Sequence, residues 1–153
     1  MKNLNFCFVK EFNQKEQETL TPKRQSEFAS GFDLACASIE DIVLAPFARM
    51  LIPTGIKVEI APHFEGQVRS RSGLSSKNGI VVLNSPGTID ADYRGEIKVI
   101  LANLSNESFV VSFGMRIAQL VICPVALPSA VLVDELSESV RAEKGFGSTG
   151  VLC

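Results

Sequence analysis

No apolar run in this sequence is long enough to cross a membrane or to form a signal-peptide core. The first fifteen residues carry only Phe6-Cys7-Phe8-Val9 between Lys2, Lys10, Glu11 and Lys15, against the roughly 20 apolar residues that a membrane helix requires. A soluble, cytoplasmic chain with no membrane partner is the expectation. Excess positive charge is missing as well: the net charge is −2 over 153 residues, which offers no general attraction to a nucleic-acid backbone. No polynucleotide partner is expected. The four cysteines, Cys7, Cys36, Cys123 and Cys153, form no C-x-x-C pair, so neither a zinc site nor a redox motif is legible. They read as buried or incidental thiols in a reducing compartment. Histidine is nearly absent. His63 is the only one and follows Pro62 in a turn-like stretch, so a general base is sought among carboxylates or a metal-bound hydroxide. The phosphate-loop pattern G-x-x-x-x-G-K-[ST] is lacking, as are internal repeats and low-complexity tracts.

What is present is an ordinary globular composition, 46% apolar and 21% charged, at a length suited to one domain with its own core. From Met50 onward, short runs of Val, Ile and Leu are separated by Pro, Gly, Asn and Ser, the spacing of an all-β sandwich or barrel. Strands are expected over residues 49–52, 56–60, 66–69, 80–83, 88–91, 96–103, 109–111 and 118–124. In Ile56-Lys57-Val58-Glu59-Ile60 apolar and charged residues alternate, which predicts a strand with one face in water. Ile97-Lys98-Val99-Ile100-Leu101 is more continuously apolar and predicts a central strand buried on both sides. One short helix is expected over residues 74–78, with Ser72 as its N-cap and Gly79 as the residue that ends it. A further short turn is placed over residues 134–140.

Three segments have the composition of a site. Gly87-Thr88-Ile89-Asp90-Ala91-Asp92-Tyr93-Arg94-Gly95 lies on a hairpin between two strands. If it stays extended, Asp90 and Asp92 share a face and set two carboxylates near Arg94; an ordinary turn with a surface ion pair fits the same residues. Arg69-Ser70-Arg71-Ser72-Gly73 precedes the short helix. Its backbone N–H groups, hydroxyls and guanidinium forks suit phosphate oxygens, as a capped turn with exposed arginines also explains. In Gly145-Phe146-Gly147-Ser148-Thr149-Gly150 the glycines admit close approach, the hydroxyls can donate to phosphate and Phe146 can stack on a base. A flexible terminal tail has the same composition. Gly114-Met115-Arg116-Ile117-Ala118-Gln119-Leu120 reads as a turn entering a core strand.

Taken in chain order with Gly31-Phe32-Asp33-Leu34, these segments resemble the five sequence motifs of the trimeric deoxyuridine triphosphatases, the dUTPases, from about residue 31 to 150. The resemblance implies an all-β, dUTPase-like β-sandwich or barrel of the β-clip type with one short helix and a flexible C-terminal tail, assembled as a homotrimer with shared active sites. Residues 1–140 would form the β domain and residues 141–153 a mobile lid that closes over the nucleotide. The implied reaction is hydrolysis of dUTP to dUMP and pyrophosphate by metal-assisted water attack at the α-phosphorus. That reaction limits uracil in DNA and supplies dUMP for thymidylate synthesis.

By the same resemblance Asp90 activates the water, Tyr93 packs on the sugar, and the hairpin with Asn84, Gly87, Thr88 and Ile89 reads the uracil edge. Arg71, Ser72, Gly73 and Gln119 hold the phosphates. Arg141, Phe146, Gly147, Ser148 and Thr149 belong to the closing tail. Mg²⁺ is the implied cofactor, carried mainly by the triphosphate and supported through water by Asp33. A dCTP deaminase of shared fold, or a nucleotide-binding module without turnover, are the rival readings. The chain departs from the family pattern at Ala142 and Lys144, where glycines are usual, at Met115, where aspartate is common, and at Ser70, where proline is common. If those two glycine positions need positive φ, Ala142 and Lys144 strain the lid.

Overall fold

The computed structural model describes residues 4–140 and 142–143. Its elements, in order, are β1 (Asn5–Phe8), α1 (Gln14–Leu20), β2 (Gly31–Ala35), β3 (Ile42–Leu44), β4 (Arg49–Pro53), β5 (Ile56–Glu59), β6 (Phe64–Arg69), α2 (Ser72–Asn78), β7 (Ile80–Val82), β8 (Gly87–Ile89), β9 (Lys98–Asn103), β10 (Phe109–Val111) and β11 (Arg116–Pro124). The mostly β expectation holds, and every expected strand is found with its ends shifted by a few residues. No helix among the described residues is long and apolar enough to cross a membrane.

Pairing is antiparallel throughout. A four-stranded sheet runs β2-β11-β6-β8, a three-stranded one β4-β9-β7, and two ribbons pair β1 with β5 and β10 with β3. Their inner faces meet over a core that includes Leu34, Leu44, Ile52, Ile56, Val68, Ile97, Leu101, Val111 and Leu120. Two polar side chains inside it are fully engaged. Asn103 donates to the carbonyls of Leu44, Ala45 and Glu107 and accepts from Ser105, while the Thr54 hydroxyl donates to Ile97 O. Buried groups paired in this way fix strand ends where apolar packing alone would leave slack.

Strand β5 has the expected half-buried alternation, with Ile56 and Val58 inside and Glu59 outside. Strand β9 corrects its expectation. It is central in its sheet, but Lys98 is exposed and Ile100 only half-buried. Across three strands the outer face therefore carries the row Leu51, Ile100, Leu83, of which Leu51 is 56% and Leu83 51% exposed.

Among the described residues two helices are present where one was expected. The N-terminal helix α1 escaped because only its Leu20 is buried, which leaves no apolar period to read. Its legible signal was a capping box: the Asn13 side chain accepts from Glu16 N–H and Glu16 accepts from Asn13 N–H. Strands β1, β2 and β3 were also unforeseen. Helix α2 starts earlier than expected: Arg71 is the N-cap, without a side-chain cap bond, and Ser72 is already helical. Gly79 ends it in the left-handed region, φ 66°, as expected. Residues 134–140 carry bends at 134–135 and at 140, with no helical turn. Among the described cysteines Cys36 is buried, which pushes its thiol above the ordinary range, Cys123 is half-buried and Cys7 exposed. Cys153 lies outside the described residues.

Candidate active site

One end of the four-stranded sheet gathers cations. Strand β11 pairs with β2 on one side and β6 on the other, with Gln119 opposite Asp33 and Arg69. The three side chains emerge on the same face, because paired residues share a side. The Asp33 carboxylate, 13% exposed, takes Arg71 Nε at 3.3 Å on one oxygen and Arg116 Nη1 at 3.0 Å on the other. Arg71 also donates to Arg116 O at 2.9 Å. Arg116 begins β11 where the register with β2 shifts, and such irregularities re-aim side chains.

Gln119 donates to Ser70 O at 3.1 Å. It has room because Gly31 faces it: a Cβ there would lie 2.7 Å from Gln119 Oε1. Ser70, at the position where proline is common, is tied by Val82 N–H donating to its hydroxyl at 2.8 Å. Beyond this turn Ser72 and Gly73 are exposed, with nothing within 4 Å of the place a Gly73 Cβ would take. Two guanidinium groups, a carboxamide and an open, glycine-bearing helix start thus surround one carboxylate. That donor set suits an anion with several oxygens.

The other end of the sheet carries the hairpin. Val68 faces Gly87 and Gly66 faces Ile89, after which β8 stops. Asp90 and Asp92 therefore do not sit on one extended face. Tyr93 N–H donates to Asp90 O at 3.1 Å across the turn, which breaks the period of two. Asp90 is exposed and borders a cleft of ≈ 310 Å³ with Leu51, Thr88, Ile89, Tyr93, Glu96 and Lys98. The Tyr93 hydroxyl donates to Glu96 O at 2.9 Å, which fixes the ring as a wall. Gly95 lies beneath it, and an added Cβ there would collide with the Tyr93 hydroxyl. Asn84 is exposed in the hairpin turn with its amide against Gly87, whose Cβ would fall 3.1 Å from Asn84 Nδ2. On its far side Asp90 borders a larger, open depression of ≈ 1030 Å³ with His63, Glu59, Glu65 and Asp92. His63 is exposed in its turn, as expected.

Among the described residues no three His, Cys, Asp or Glu side chains are gathered to hold a metal. The Asp33 carboxylate already accepts from two guanidinium groups, so it suits a metal contact through water rather than an inner ligand. Mg²⁺ keeps several of its waters and is commonly held by substrate phosphates, and the residues present fit that arrangement.

The sequence expectations thus separate into two groups. Asp33, Arg71, Ser72, Gly73 and Gln119 come together at one end, and Asn84, Gly87, Thr88, Ile89, Asp90 and Tyr93 at the other. Arg141, Lys144, Phe146, Gly147, Ser148 and Thr149 lie outside the described residues. Ala142 is described and has φ 45°, the positive value that makes alanine strained where glycine is usual. Sequence reasoning passed over Arg116. Its signal was a basic residue three before Gln119, at the mouth of the strand that faces Asp33.

An antiparallel β fold with an anion-binding end and a carboxylate-bearing hairpin cleft defines the class. The dUTPase family model matches residues 17–150. The deoxyuridine 5'-triphosphate nucleotidohydrolase of Cytophaga hutchinsonii is 58% identical over 129 residues, 84% of each chain. A dUTPase mutant of Staphylococcus bacteriophage 80alpha, solved with dUpNHpp, superposes with a TM-score of 0.85 at 30% identity, covering 99% of this chain and 100% of that one. A mutant dUTPase of phage phi11 of S. aureus, described as coordinating a structural Mg(II) ion, gives 0.76 at 25% identity over 89% and 99% of the two chains. The chain belongs to the dUTPase family.

Proposed function

We propose that the protein hydrolyses dUTP to dUMP and pyrophosphate, and that the cleft at the hairpin, with Asp90 at its mouth and Tyr93 as its wall, is the observation that carries this reading. Asp90 orients and deprotonates the attacking water, being the exposed carboxylate of that cleft. A pinned Tyr93 ring leaves no slack for a 2′-hydroxyl, and the backbone of Gly87, Thr88 and Ile89 with Asn84 reads the base edge. Arg71, Ser72, Gly73 and Gln119 neutralise and hold the phosphates, which is most of what catalysis at phosphorus requires. Asp33 would support, through water, a Mg²⁺ ion carried by the triphosphate, which would supply further charge neutralisation. Residues 141–153 act as the lid, Arg141 and Ser148 with Thr149 on phosphate, Phe146 on the base and Gly147 allowing close approach.

The two ends of the site lie too far apart in one chain for one nucleotide. Strands β2 and β8 are three spacings apart, roughly 14 Å, and Asp90 is offset from Arg71 by about six residues along β6, on the order of 20 Å. Arg71 moreover reaches toward β2 and β11, away from β8. We infer that Asp90 of one copy faces Arg71 and Gln119 of another, an arrangement that the homotrimer implied by the family resemblance would supply. The row of exposed Leu51 and Leu83 with half-buried Ile100 between them, bordering the cleft at Leu51, supports such contact between copies. A cytoplasmic location is part of the same reading, in keeping with the lack of a membrane-crossing helix among the described residues.

Pyrophosphate release from dUTP, beside dCTP, dTTP and UTP, with Mg²⁺ and with chelator, tests the reaction. Mg²⁺-dependent release from dUTP alone is expected; silence on all four would sink the reading. Mixing inactive Asp90→Asn with inactive Arg71→Ala after joint refolding tests the sharing. Recovered turnover is expected, and none recovered would confine the site to one chain.

A further inference from the structure

Beside the cationic end lies a segment that the proposed reaction does not use. Helix α1 and the strand-like stretch after it run along the free edge of β2. They touch the backbone of Asp33 and the turn that leads into Arg116. Asp33 N–H donates to Lys23 O at 2.9 Å in an isolated antiparallel bridge, so the backbone that carries the carboxylate is held by residue 23. On the other side Thr19 packs against Gly114, two residues before Arg116, so closely that a Cβ on Gly114 would lie 2.6 Å from Thr19 Cγ2.

The segment is itself anchored. Leu20, 2% exposed, forms a small separate core with Phe12, Ala35 and Ala37, packed by Phe8 and Phe113. Ala35 lies two residues beyond Asp33 and Phe113 directly precedes Gly114. The Lys23 ammonium donates to Glu18 O, and the Arg24 guanidinium stacks on the Phe32 ring at 4.8 Å. A cleft of ≈ 280 Å³ between helix and sheet exposes Asp33 and Arg116 together with Lys23 and Gln25.

We infer that residues 13–24 form a positioning brace: they fix the Asp33–Arg116 pair, and through it the Arg71 guanidinium, in the geometry that receives the substrate's phosphates. This rests on the phosphate-binding role proposed for Arg71. Two guanidinium groups on one carboxylate remain aimed only while the backbones carrying them stay in register, and among the described residues the free edge of β2 pairs with Lys23 alone. The brace therefore acts on affinity for the phosphate moiety and leaves the hairpin cleft alone.

The test loosens the brace without touching the site. Leu20→Ala removes its apolar anchor; Asn13→Ala, which removes only the helix cap, serves where Leu20→Ala fails to fold. Binding of inorganic pyrophosphate and of deoxyuridine is measured by calorimetry, and exchange of the Asp33 amide by NMR. Weaker pyrophosphate binding by about tenfold, unchanged deoxyuridine binding, faster Asp33 exchange and a raised KM at constant kcat are expected. Faster Asp33 exchange with unaltered pyrophosphate binding, or equal loss for both ligands, overturns the brace while leaving the proposed reaction standing. A native protein that binds neither ligand removes both.

Discussion

The two ends of the four-stranded sheet handle charge in opposite ways. At the β2–β11 edge Asp33 is 13% exposed and occupied by two guanidinium groups; at the β8 edge Asp90 stands in the open after its strand has ended. The difference follows from what each end does in the proposed reaction. Donors that neutralise phosphate act best when aimed beforehand, since reorienting charge during the reaction raises the barrier. Asp33 stands in for the anion and holds the cations ready. A water-activating carboxylate has the contrary need: it must stay reachable, which exposure ensures.

Removing Asp90 should have the largest effect. Asp90→Asn is expected to lower kcat for dUTP by roughly 10²–10⁴-fold while dUpNHpp still binds; an undiminished rate would take the base away from the hairpin end. Asp33→Asn strikes the prearranged end, and a loss of about 1–2 kcal/mol in binding is expected, allowing for the half-exposed Arg116. It should appear in KM and in pyrophosphate affinity, and a change in kcat alone would contradict the division between the ends.

Gly31→Ala sharpens the same point sterically. Its Cβ would displace Gln119 Oε1 from 2.7 Å, and we expect about 1 kcal/mol of weaker triphosphate binding with a melting temperature little changed. Tyr93→Phe removes the hydroxyl bond to Glu96 O, worth about 1 kcal/mol. The preference for dUTP over UTP should fall several-fold, and an unaltered ratio would mean that the ring is held by packing alone. The smallest change is expected from Ala142→Gly. Relieving a positive φ of 45° is worth roughly 0.5–1 kcal/mol, to be read as a lower KM for dUTP.

Much of the fold was legible because its strands obey short-range rules. The alternation of Ile56, Val58 and their charged neighbours fixed both the element and its buried face, and Gly79 marked the end of α2 through its left-handed backbone. The boundaries of β8 and α2 were misplaced because local turn bonds decided them, among them Tyr93 N–H to Asp90 O. Helix α1 buries a single residue, so no period announced it. The double burial expected of β9 read a surface apolar row as core, since Leu51, Ile100 and Leu83 look the same in sequence whether covered or not.

For the site, the sequence by itself determined the inventory: which carboxylates, guanidinium groups and glycines exist, and in what order, since side-chain chemistry is local. Only the tertiary structure decided who meets whom. Arg71 and Arg116, 45 positions apart, converge on Asp33 because β11 lies between β2 and β6, and Asp90 is kept apart from them because β8 takes the opposite edge. Strand order is set by which apolar faces close the core together, a property of the whole chain that no single motif contains.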